Sequence, residues 1–209
     1  MSRPLKLYIT GLVSLSVLAL ALTSFVFLGD QARVAGLRPE IALRFTPDDS
    51  PPTLVQAFAG LMFWTLITLF AGALPVRMPR GTLVSVAIAP IVAAMALGGP
   101  TAAGWVALLG TTELRELRGR VPWYGTAANH AGVVLPAVAG SLFYEGVRGD
   151  SREPINTFAA TVVGAVVLFV LNFGITSVVV AMRSRQQIRL ILSGDARGIV
   201  ANAVALAPL

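Results

Sequence analysis

The chain has 209 residues, 56% hydrophobic and only 12% charged, with a mean hydropathy of +0.77. Globular domains carry about 25% charged residues, and half that share cannot cover such a protein in water. A cytosolic enzyme, a secreted domain and a disordered tail are excluded, and an integral membrane protein with the lipid bilayer as its first partner is indicated. Zero cysteines remove a disulfide framework, a thiolate metal site and a cysteine nucleophile. A net charge of +6 invites a nucleic-acid reading, but no basic stripe with interleaved aromatics is present. The charges sit in short clusters between long uncharged stretches, as in membrane loops, and no nucleic-acid partner is expected.

Lys6 and Asp30 bracket 23 uncharged residues, 7–29, which as a helix would reach about 34 Å against a hydrocarbon core of about 30 Å. The run is too long for the apolar region of a signal peptide, and Ser24-Phe25-Val26 is a poor cleavage site. A retained first span is therefore predicted. Residues 30–52 form the longest loop, since Pro47-Asp48-Asp49-Ser50-Pro51-Pro52 cannot continue a helix. Its Asp48 and Asp49 read as solvated rather than metal-binding. The second span covers 53–74, and 76–81 is a tight basic link carrying Arg77 and Arg80. The third span, 82–97, contains Pro90 and is expected to kink there.

Gly98-Gly99-Pro100 breaks the chain before a fourth segment, 101–112, that is too short to cross alone and would continue through Glu113–Leu117. The fifth span covers 126–144 and the sixth 155–182. Beyond Met182, Arg183, Arg185 and Arg189 flank Ile188, Ile191 and Leu192, which share one helical face and read as an interfacial connector. Residues 198–209 are uncharged but too short to span: they lie on the membrane or, the preferred reading, are the start of a further span cut short.

The expected architecture is thus all-α: a polytopic transmembrane bundle of six spans over 1–182, with a short broken fourth helix, then an amphipathic segment over 183–209. With six spans, 11 of the 16 Lys and Arg fall on the side of both termini and 5 on the other, which predicts cytoplasmic N- and C-termini. Small residues at helical spacing, Ala103/Ala107, Ala128/Gly132 and Gly132/Pro136/Gly140, predict close helix packing within one bundle, or less simply a dimer face.

Polar groups inside spans are costly and are the candidates for function. They are Asn129 and His130 in the fifth span, Asn172 in the sixth, and Glu113 with Arg115 after the fourth. His130 could be a ligand contact, a haem or metal ligand, a pH-sensitive group or an interfacial hydrogen-bonder. With no cysteine and no second histidine, a metal would need carboxylates, and neither metal nor cofactor is expected. Asn129 and Asn172 must be satisfied in lipid, and a bond between them across the fifth and sixth spans would do so. Glu116 and Arg120 are spaced for a helical ion pair. Glu113 lies deepest in the charged turn by sequence and is the better ligand candidate, against the plainer role of pairing with Arg115 or Arg118. Trp123-Tyr124 reads as an aromatic interface anchor. No phosphate loop, serine nucleophile elbow or paired catalytic carboxylates are present, and no catalysis by these residues is expected.

Several motifs carry a resemblance. Leu74-Pro75-Val76-Arg77-Met78-Pro79-Arg80-Gly81 leads into the third span, Gly98-Gly99-Pro100 precedes the fourth, and Arg120-Val121-Pro122-Trp123-Tyr124 leads to Ala128-Asn129. The sixth span holds Leu171-Asn172, and the chain closes on Ala205-Leu206-Ala207-Pro208-Leu209. Over residues 4–209 this resembles the N-terminal multi-span region ahead of HD-GYP-type phosphohydrolase domains in bacterial signalling proteins. The resemblance implies an input module in the cytoplasmic (inner) membrane that couples a membrane or small-molecule signal to a cytoplasmic output domain, in cis or through a homodimer partner. The His-Asp pair and the Gly-Tyr-Pro motif are absent here, so cyclic di-GMP hydrolysis would belong to a missing continuation. Where the family pattern often has an aspartate before the cytoplasmic loop, this chain has Glu113. A looser likeness to the substrate-binding membrane subunit of energy-coupling-factor vitamin transporters implies an uptake role instead.

Overall fold

Among the described residues there are five long helices, which follow the apolar stretches of the sequence, and one short one: α1 (Arg3–Val26), α2 (Leu54–Ala73), α3 (Ile88–Gly110), α4 (Leu114–Leu117), α5 (Trp123–Arg148) and α6 (Pro154–Ser184). The computed structural model describes residues 2–26, 36–44, 51–74, 76–77, 83–84, 86–151 and 153–189. Asp48, Asp49, most of the link at 78–82, Ile191, Leu192 and the expected further span at 198–209 lie outside those residues. Four helices, α1, α2, α3 and α6, are long and apolar enough to cross a membrane, and the chain is a multi-pass membrane protein. Its outward faces agree: Leu18 and Phe25 of α1, Leu66 and Phe70 of α2, and Ile155 and Val170 of α6 are exposed, and hydrocarbon rather than water satisfies them.

The position of α3 decides the architecture. A straight helix of its 23 residues would hold its ends about 33 Å apart. Both ends instead lie beside one turn of α2. A Cβ on Gly72 would stand 3.8 Å from Ala87 Cβ, and one on Gly110 would stand 2.6 Å from Thr68 Cβ. The helix therefore folds back on itself. The reversal is at Gly99, whose φ of 72° and ψ of −167° fall in a region essentially reserved for glycine. Pro100 then opens the returning arm, where its missing N–H costs nothing.

The outgoing arm, 88–98, runs antiparallel to α2 from Gly72 to Gly60, where Ile41 meets both Gly60 and Gly98. The returning arm, 100–110, runs antiparallel to α1. Thr101 donates to the Thr23 carbonyl at 2.8 Å, Trp105 Nε1 donates to Ser24 Oγ at 3.1 Å, and Gly104 faces Leu20.

Each arm is about 16 Å long, half of a hydrocarbon core. The expected third and fourth crossings are thereby corrected: they are the two arms of one folded-back helix, packed among α1, α2, α5 and α6. The parity survives: Ser2 and Leu5 at the start of α1 share a cavity with Met182 and Arg183 at the end of α6. Pro90 does not kink the chain, because α3 begins at Ile88 and Pro90 lies in the first turn, where an N–H has no helical partner. The link before α3 carries a small antiparallel ladder between β1 (Val76–Arg77) and β2 (Leu83–Val84), which the all-α reading lacked.

The hairpin is the core. Buried residues make up 67% of the apolar window of α3 against 17% for α6, and Ala94, Met95, Ala102, Ala103, Val106 and Ala107 are fully enclosed. From the opposite end, residues 36–44 dip into the bundle around a 3-10 turn, Pro39–Ile41, instead of forming a wholly external loop. Leu37 and Ile41 are buried. Arg38 N–H donates to the Gly98 carbonyl beside the helix break at 3.3 Å, and Leu43 N–H donates to Gln56 O at 3.0 Å. Buried backbone groups need such partners wherever the chain leaves regular structure in lipid.

Close packing within one bundle, as the small-residue pattern predicts, is clearest where α5 crosses α6. A Cβ on Gly140 would lie 2.6 Å from Gly164 O, and one on Gly164 2.8 Å from Gly140 O. Gly164→Ala is expected to destabilise by about 1–3 kcal/mol, since only a backbone shift relieves the contact. Gly174→Ala, in the same helix with nothing within 4 Å of the added methyl, should stabilise by about 0.5–1 kcal/mol. Thermal unfolding of the two variants in detergent checks the pair. Equal shifts would mean that α5 and α6 are not in backbone contact.

Candidate functional site

A concavity of about 470 Å³ opens at the end shared by the two helix termini, between α1, α5 and α6. This is within the range of ligand pockets. Tyr124 and Asn129 of α5 and Asn172 and Thr176 of α6 supply its polar wall. Leu5, Ile9, Ile175 and Val179 supply the apolar one, with Arg183 and Arg185 at the rim.

Two of the candidate residues, Asn129 and Asn172, therefore come together, but they do not bond each other. Pro136 has no N–H to give the Gly132 carbonyl one turn earlier in α5. Asn172 Nδ2 supplies the missing donor at 2.9 Å. Asn129 Nδ2 instead donates to Glu116 Oε1 at 3.3 Å. The expected Asn129–Asn172 bond is corrected to two separate ones. Asn172→Leu should cost about 1–2 kcal/mol by leaving a carbonyl unpaired in an apolar setting. Pro136→Ala restores the helical donor, so the double variant should lose less than Asn172→Leu alone. A double-mutant cycle on thermal stability measures this, and strict additivity would refute the account.

The buried carboxylate is Glu116, not Glu113. After Gly110 the chain leaves the helix, so depth no longer follows sequence order. Glu113 becomes the N-cap of the four-residue α4 and pairs with Arg115, their side chains being 45% and 70% exposed. Hydrogen bonding and charge from Glu113 push the Arg115 guanidinium pKa upward. The expected plain role of Glu113 thus holds, and neither residue reaches the cavity. Glu116 is held by the Glu113 N–H at 3.2 Å and is turned inward, its side chain only 5% exposed.

Glu116 Oε2 lies 3.1 Å from His130 Nε2, and His130 Nδ1 lies 3.3 Å from Thr111 Oγ1. Because Thr111 already donates its proton to Ala107 O at 2.7 Å, both ring nitrogens face acceptors. The helical pair expected between Glu116 and Arg120 does not form: α4 ends at Leu117 and the chain turns through Gly119 at φ 66°. His130 sits beside a smaller apolar cavity with Ser16 and Leu108. Among the described residues no three His, Asp or Glu side chains cluster as a metal would require. Of the expected aromatic anchors, Trp123 is 80% exposed at the start of α5, whereas Tyr124 turns into the larger pocket.

A second polar cluster, at the opposite end, escaped the sequence reading. Arg38 pairs with Glu145, and the Arg38 and Arg148 guanidinium carbons each lie 5.9 Å from the ring centre of the buried Tyr144. The pair closes over the hairpin tip, where a Cβ on Gly99 would stand 3.2 Å from Glu145 Oε1. No sequence signal joins positions 107 residues apart. The sequence matches no family model, and comparison with curated proteins and with solved structures finds no match. Chemically, the larger pocket presents amide, phenol and hydroxyl groups in its wall and cations at its rim.

Proposed function

We propose that this chain is a membrane-embedded sensory module whose ligand pocket acts on the helix that leaves the bundle. One observation carries the reading: the pocket is walled by the last two turns of α6, from Thr176 through Arg183, so an occupant bears on the segment that exits at Arg185. The exit is sharp, since Arg185 caps α6 in a left-handed conformation and Gln186 N–H closes on Ala181 O at 3.2 Å. The excess of Lys and Arg on the side of both termini supports a cytoplasmic exit. The resemblance to the membrane regions of HD-GYP signalling proteins supports a phosphohydrolase-type output domain beyond it. Limited proteolysis between 186 and 189 in lipid nanodiscs, with and without added membrane extract, tests this. Protection that changes with the extract supports a sensor, and cleavage that never changes refutes it.

The broken helix α3 favours a second reading, a small-molecule uptake subunit, because discontinuous helices line transport sites. Its hairpin tip at Gly99, however, is covered by Arg38 and Glu145 and lines neither described cavity, whereas Asn129 and Asn172 line the larger one. Uptake of a vitamin-like substrate on co-expression with an energising partner would overturn the sensory reading.

A further inference from the structure

We propose that the pocket between α1, α5 and α6 takes an amphipathic anion, a carboxylate or phosphate head on a hydrocarbon body; this rests on the reading of that pocket as the sensory site. The lining contains two guanidinium groups, Arg183 and Arg185, and no carboxylate, and neither arginine has an ion-pair partner among the described residues. An unneutralised pair of cations at the rim selects negative charge. Two helix starts, those of α1 at Ser2 and α5 at Tyr124 and Gly125, also meet in this pocket, and the positive ends of their dipoles add to the same preference. Away from the rim the wall is Leu5, Ile9, Ile175 and Val179, which suits a hydrocarbon body and not a free inorganic ion.

The backbone gives an independent indication. Arg185 is the one non-glycine residue with positive φ among the described residues, at φ 56° and ψ 28°. It occupies the helix-closing position that glycine fills with least strain. Strain of this kind, kept at a pocket rim, points to a role for the side chain. With Trp123 exposed beside the rim, the head would lie at the depth of lipid headgroups.

The test uses the full chain purified in a neutral maltoside detergent, with retention read by native mass spectrometry. The probes are palmitate, phosphatidylglycerol, phosphatidylcholine and inorganic phosphate. At least one anionic amphiphile should be retained about tenfold more tightly than phosphatidylcholine, and inorganic phosphate should not be retained. Palmitate alone would name a free acid as the source, and phosphatidylglycerol alone a lipid headgroup.

Arg185→Gly removes the guanidinium while easing the backbone, so it should fold at least as well as the parent and bind the anion about tenfold more weakly. Arg115→Gln, an exposed arginine outside the pocket, should bind as the parent does. Equal retention of neutral and anionic lipid, or full retention by Arg185→Gly, overturns the proposal. Anion binding without any change in proteolysis at 186–189 would refute the sensory reading alone. A proteolytic response to a neutral additive, with no anion retained, would refute the ligand class alone.

Discussion

Replacing Gly60 with alanine is expected to destabilise the protein by about 3–4 kcal/mol, more than an ordinary overpacked methyl. The added carbon would stand 1.7 Å from the Ile41 carbonyl oxygen and 2.8 Å from its carbonyl carbon. Neither neighbour is the free end of a side chain. Ile41 is buried, and the backbone around it is held by Leu43 N–H on Gln56 O and Ala42 N–H on Pro39 O. Relief therefore means lifting residues 36–44 off α2, which strips the partner from the Gly98 carbonyl and uncovers Leu37. Thermal unfolding of Gly60→Ala against Gly146→Ala, whose methyl meets nothing within 4 Å, checks the size of the effect. If both melt with the parent, the segment is not seated on α2 and the account of the core fails.

Gly99→Ala should cost about 2–4 kcal/mol for a different reason. The conformation at φ 72°, ψ −167° is one that residues with a Cβ adopt only under strain of roughly 1–3 kcal/mol. Any Cβ there also enters the Arg38–Glu145 pair, 3.2 Å from Glu145 Oε1 and 3.3 Å from Arg38 Nε. The expected structural result is a splayed hairpin. Ala103, fully enclosed on the returning arm, gives a direct readout as cysteine: it should resist a membrane-permeant thiol reagent in the parent background and react in Gly99→Ala. Continued protection together with an unchanged melting temperature would show that the reversal does not depend on this residue.

Much of the fold was legible in the sequence, and the exceptions have physical causes. Long uncharged runs marked α1, α2, α5 and α6 because hydrocarbon demands length and apolarity together. Gly98-Gly99-Pro100 marked the break in α3, and the shortness of 101–112 showed that the next piece could not cross alone. What periodicity could not show is that two half-length arms pair with each other, since that pairing is written in α2 and α1. The burial of 36–44 was hidden for a similar reason: Arg38, Pro39 and Glu40 read as loop, and only the carbonyl beside the break and the bare surface of Gly60 make room for them.

At the candidate site, Asn129, Asn172 and His130 stand out in the sequence because intramembrane polarity is rare enough to count. Glu116 is hidden behind Glu113 in the sequence because depth along a helix no longer follows residue order past its end at Gly110. The role of Asn172 was nonetheless available, since a proline inside a helix announces an unpaired carbonyl four residues before it.

The hairpin carries a risk during synthesis. Taken as one piece, the 23 residues of α3 are hydrophobic enough to be accepted as a single crossing, though with a hydropathy of 1.6 against 2.4 for α6 they are the weakest of the four such helices. Accepted that way, they would carry everything after them to the wrong face of the membrane, and α5 and α6 would insert upside down. The segment that follows at once holds Arg115, Arg118 and Arg120, and cations just beyond a span resist translocation. These exposed arginines, which line neither described pocket, would serve as a topological latch that holds the returning arm at the face from which it entered until residues 36–44 close over the tip.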